Sequence, residues 1–131
     1  MPLDQLGAIE IELIVVTDDA EHARDLISSL KSARYRYVVS ELKARDSVVA
    51  DFEATIESAR GKRPVVVFLD CEFLNGQTEG FAARIFDLQR SMAIECVATR
   101  PPPETPRRIH LRRLGVHLFD TDQPAEIIPL H

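Results

Sequence analysis

Acids and hydroxyls stand at recurring places in this sequence, each at the end of an apolar run. Thr17-Asp18-Asp19 follows IEIELIVV (residues 9–16), and Asp70 closes PVVVFLD (64–70). Thr99 closes AIECVAT (93–99) with Arg100 after it, and Asp120-Thr121-Asp122 ends the run begun by VHLF. Carboxylates that converge repel one another unless one is protonated or a cation lies between them. Mg²⁺, a hard cation that prefers oxygen ligands and keeps several waters, suits such a cluster. Asp18, Asp19 and Asp70 are therefore the candidate metal ligands, provided that the elements carrying them bring them together.

Those elements can be read from the spacing of apolar residues. Residues 9–16, 35–42, 64–70, 93–99 and 116–120 are short runs rich in β-branched and aromatic residues, several of them apolar on consecutive positions as buried parallel strands are. Between them Ala23, Leu26, Ile27 and Leu30 share one helical face, as do Val49, Phe52, Ile56 and Ala59, then Phe81, Ile85, Leu88 and Met92. Gly61 and Gly115 read as helix stops, and Thr105-Pro106 as an N-cap followed by a first helical residue. Strands separated by helices cannot be hairpins. The expectation is a doubly wound, flavodoxin-like five-stranded parallel sheet in three α/β/α layers, with a short or missing last helix after Pro124. In such sheets ligands sit beyond the carboxyl ends of the strands where strand order reverses, which is where the acids fall.

Composition narrows the class. The chain has 131 residues, the size of one domain, so residues 1–131 are expected to fold as a single unit. With 21 acids against 16 bases the net charge is -5, which disfavours nonspecific nucleic-acid binding. The apolar runs are too short to cross a membrane, and no secretory leader is legible, so a cytoplasmic location is expected. Cys71 and Cys96 form no disulfide framework or zinc spacing, and His22, His110, His117 and His131 are scattered. Neither a G-x-S-x-G elbow, a phosphate-cradling glycine loop nor H-E-x-x-H is present. A metal-assisted hydrolase is the weakest reading, and the chain is expected not to be an enzyme.

Acids after the first strand, an Asp after the third, a Thr after the fourth and an aromatic on the fifth resemble the receiver domain of bacterial two-component response regulators. The resemblance spans nearly the whole chain. It implies that Asp70 accepts a phosphoryl group from a histidine kinase or phosphotransfer protein, and that Asp18 with Asp19 or Thr17 and Asp70 hold Mg²⁺. It further implies that Thr99 is the switch hydroxyl and Phe119 the aromatic switch of a module driving a fused or separate output. The chemistry is a carboxylate attacking phosphohistidine in line while Mg²⁺ spreads the developing charge.

The chain departs from that pattern in particular places. Thr17 occupies the first acid position. Gln123 stands before Pro124 where the family places Lys, and none of Lys31, Lys43 and Lys62 is expected at the carboxyl edge. Arg100 is the cation there that could substitute. The alternative reading is a pseudo-receiver, a protein-interaction module without phosphotransfer. The same residues also admit structural roles: Asp18 with Glu21 forms a capping box, Asp70 can open a turn, and Phe119 can be core. Arg107, Arg108, His110, Arg112 and Arg113 make a basic segment suited to an acidic partner. The short end AEIIPLH implies a chain cut from a longer protein, or a fused module or homodimer contact at Ile127, Ile128 and Leu130.

Overall fold

The structure, a computed structural model, describes residues 9–30 and 35–119. Along them the order is β1 (Ile9–Val16), α1 (Ala20–Ser29), β2 (Tyr35–Leu42), α2 (Val48–Ala59), β3 (Val65–Asp70), α3 (Cys71–Leu74), a 3-10 turn (Asn75–Gln77), α4 (Thr78–Leu88), β4 (Ile94–Thr99), α5 (Thr105–Arg113) and β5 (His117–Phe119). All strand pairs are parallel, and their spatial order is β2-β1-β3-β4-β5. This is the doubly wound, flavodoxin-like three-layer arrangement expected from the sequence.

The continuous apolar runs follow from burial on both faces of the sheet. On β3, Val65, Val67 and Leu69 pack beneath α2 and α4 together with Phe52, Ile56, Phe81 and Ile85. Val66 and Phe68 point the other way and join Leu13, Val15, Val97 and Phe119 against Ala23, Leu26 and Leu30 of α1 and its C-cap. Alternation along the strand feeds both layers. Each such large side chain stabilises the fold by roughly 1.5–3 kcal/mol on burial.

Several boundaries shift by a residue or more. The N-cap of α1 is Asp19, whose side chain accepts from the His22 N–H, so the Asp18–Glu21 capping box is not formed. The N-cap of α5 is Glu104, which puts Thr105 first and Pro106 second in the helix. Helix α4 ends at Leu88, and Met92 reaches the core from the following turn, its N–H still bonded to Leu88 O. Four residues after Asp70, read from sequence as loop, form the single turn α3. Gly61, at φ 74°, ends α2 as expected. Asp120 to Asp122, the helix after Pro124 and the contact at Ile127, Ile128 and Leu130 lie outside the described residues.

Candidate functional site

Strand order reverses between β1 and β3, and the crevice beyond their carboxyl ends is where this fold places ligands. Val16 pairs with Leu69, and Asp70 pairs with Thr99 across β3 and β4. The two acid clusters expected from the sequence therefore share one rim. Thr17, Asp70 and Thr99 are all buried there, at 3%, 2% and 0% exposure.

Asp70 has both carboxylate oxygens engaged. The Thr17 hydroxyl donates to Oδ2 at 2.6 Å, and the Glu72 N–H donates to Oδ1 at 3.0 Å. The second bond caps α3, so the turn-opening role and the site position coincide in one residue. Thr17 in turn accepts the Asp19 N–H at 3.1 Å, which ties the β1 end to the start of α1.

Arg100 completes the cluster. Its Nη2 donates to Asp19 Oδ2, its Nε lies 4.0 Å from Asp70 Oδ1, and its Nη1 lies 3.7 Å from Glu72 Oε1. This hydrogen bond, with the His22 N–H behind it, holds the Asp19 carboxyl below the usual carboxylate range. The same bond raises the Arg100 guanidinium above its ordinary value. Arg100 sits at φ 47°, in the left-handed region that favours glycine.

On the other side of the rim, His22 Nε2 and Thr99 Oγ1 are 2.9 Å apart, and Thr99 also reaches Leu69 O at 3.5 Å. Burial first, then the charge of Arg100, lowers the pKa of this imidazole, outweighing Asp70, Asp19 and Asp25. Outside the rim a cleft of about 790 Å³ opens between α3 and the Pro101–Pro103 segment, with Glu72, Asn75, Arg100 and Arg107 on its walls.

The other candidates have different surroundings. Asp18 is exposed and enters none of the hydrogen bonds or ion pairs among the described residues. Phe119 is 3% exposed and stacks edge-to-face on Phe68 with centroids 6.3 Å apart, the geometry of a core aromatic. Arg100 stands at the edge expected of it, with carboxylates as partners, and Lys43, not expected there, directly follows the carboxyl end of β2. His22 carries no ligand-like spacing in the sequence. Its signal was its place three residues after Asp19 and on the face of Leu26.

Mg²⁺, the cation the sequence suggests for these acids, would meet them already engaged with protein groups. Mg²⁺ needs carboxylate oxygens with open lone pairs and room for several waters. Here Asp19 accepts from Arg100 and the His22 N–H, Asp70 accepts from Thr17 and the Glu72 N–H, and Asp18 is exposed and outside both pairs. Among the described residues no group of three or more His, Cys, Asp and Glu side chains is gathered where it could hold a metal. Cys71, beside Asp70, is a buried thiol whose pKa burial pushes up to about 11, the opposite of the lowering that activates a thiolate.

No protein-family model matches the chain, and no curated protein or solved structure matches it either. The class is accordingly given by the fold and rim: a five-stranded flavodoxin-like α/β/α domain, consistent with the receiver superfamily. Among the described residues no helix is long and apolar enough to cross a membrane.

Proposed function

We propose that the chain is a receiver-fold signalling module that acts through protein contact, without phosphotransfer to Asp70. One observation carries this reading: the Asp70 carboxylate is 2% exposed and takes the Thr17 hydroxyl on one oxygen and the Glu72 N–H on the other. In-line attack on a phosphoryl donor needs a carboxylate oxygen open to the phosphorus and a cation placed to take up charge. Thr17 stands where the family has an acid, and Arg100 is committed to Asp19.

The contact surface is the basic face of α5. Arg107 is paired with Glu79 and Arg108 reaches Pro102 O, which leaves exposed Arg112, Arg113 and His110 to meet an acidic partner. Arginine at such a face gives planar, multidentate contacts to carboxylates.

A second reading, phosphorylation of Asp70 by a histidine kinase, is favoured by its place at the β1/β3 reversal in register with Thr99. Intact-mass measurement after incubation with acetyl phosphate and Mg²⁺ separates the two. The contact module is expected to gain no phosphate. A hydroxylamine-sensitive phosphate that is absent from Asp70→Asn overturns it.

A further inference from the structure

We infer that Arg100 is the resident cation of the acidic crevice, holding Asp19, Asp70 and Glu72 where a divalent ion would otherwise be required and so fixing the root of the Pro101–Pro103 wall of the cleft. The inference deepens the contact-module reading and rests on it.

Three independent features support it. The first is the backbone. An L-residue with a Cβ is disfavoured at φ 47°, and such a conformation persists where the surroundings over-determine it. Here the surroundings are carboxylates on three separate elements. The second is the shape of the group. A guanidinium is a planar fork: its Nη2 donates to Asp19 Oδ2, while its Nε and Nη1 lie at ion-pair distances of 4.0 and 3.7 Å from Asp70 Oδ1 and Glu72 Oε1. The third is Thr17, whose hydroxyl donates to Asp70 Oδ2. A carboxylate at that position could only repel Asp70 unless a further cation joined it, so Thr17 and Arg100 together remove the need for a metal.

The lock has a mechanical consequence. Arg100 leads directly into Pro101-Pro102-Pro103, and Pro102 is buried with its carbonyl accepting from Arg108 of α5 at 3.3 Å. The acids at the switch point therefore set the position of the cleft wall and its link to the basic helix.

Glycine adopts φ near +50° without steric cost, so Arg100→Gly removes the guanidinium and the backbone strain together. A strained but idle arginine would give a more stable variant. The inference expects a lower melting temperature, and a saturable rise of that temperature with MgCl₂ together with amide shifts at Asp19 and Asp70. Mg²⁺ should bind the variant at least about tenfold more tightly than the wild type. Arg100→Lys, which keeps the charge, should stay as insensitive to Mg²⁺ as the wild type. If Arg100→Gly does not fold, Arg100→Gln carries the same titration. Saturable Mg²⁺ shifts at Asp19 and Asp70 in the wild type overturn the inference, as does a variant with no gain in Mg²⁺ affinity. Neither readout involves phosphate, so the inference can fail while Asp70 remains unphosphorylated, and phosphate incorporation alone tells against the contact-module reading.

Discussion

At the amino edge of the sheet Arg63 grips Glu12, and at the carboxyl edge Arg100 reaches Asp19 and Asp70. The first pair is a plug. Arg63 Nη2 and Nε approach Glu12 Oε1 at 2.7 and 2.9 Å, Ser40 Oγ donates to Oε2 at 3.2 Å, and Glu12 is 2% exposed. One arginine satisfies one strand residue, with Glu10 3.8 Å away, and no left-handed backbone is involved. The second cluster shares one arginine among three acids, costs a left-handed backbone, and opens onto a cleft. Chemically the pairs are alike. What separates them is topology: in a parallel α/β sheet the crevice lies at the carboxyl ends. The same ion pair is internal bracing at one end and a device facing the outside at the other.

The largest test of that contrast is Arg63→Ala. It strands a buried Glu12 carboxylate and is expected to cost about 3–5 kcal/mol in urea unfolding, because among the described residues no other cation pairs with that charge. Mg²⁺ should not restore it. A loss under about 1 kcal/mol would mean that water reaches Glu12 and that the amino-edge pair is ordinary surface charge.

Thr17→Val comes next. It keeps the shape and deletes the hydroxyl, leaving Asp70 Oδ2 buried without its donor, for an expected loss of about 1–3 kcal/mol. A neutral result would show that the carboxylate turns to another donor, and the description of Asp70 as fully engaged would fail.

A smaller effect follows from His22. Its folded pKa is lowered from 6.5, so the folded state binds fewer protons there than the unfolded chain. That contribution to stability is complete above about pH 6.5 and is lost as pH falls through the lowered folded value. The melting temperature should drop by a few degrees between pH 7.5 and 5.5, and His22→Gln should flatten this slope. An unchanged slope in the variant would assign the pH dependence elsewhere. Asp18→Asn is the smallest, within about 0.5 kcal/mol, since the residue is exposed and outside both clusters. A clear loss of stability or of any Mg²⁺ response would restore Asp18 to the site.

Much of this was legible in the sequence because burial on two faces leaves unbroken apolar runs. PVVVFLD could hardly be anything but a central strand, and helices between parallel strands force Asp70 and the Thr17-Asp18-Asp19 turn onto one rim. The destination of Arg100 was not legible. It depends on a left-handed residue after β4, and nothing in Thr99-Arg100-Pro101 announces a positive φ at a non-glycine. His22 was hidden for a different reason. It lies four residues before Leu26 and so on the inner face, but a single imidazole with no second ligand at metal spacing carries no pattern that marks it as part of a site. The turn α3 escaped because four residues carry no helical period; it forms because Asp70 caps it.

The central claim is that Asp70 is an anchor already bonded on both oxygens. Titrating the protein with beryllofluoride and Mg²⁺, which together mimic a phosphoryl group on a carboxylate, while following the backbone amides of Asp70, Glu72, Thr99 and Arg100, tests it most directly. The account predicts that these four resonances stay where they are throughout the titration. Saturable shifts shared by Asp70 and Thr99 would contradict it and make Asp70 a working phosphoacceptor.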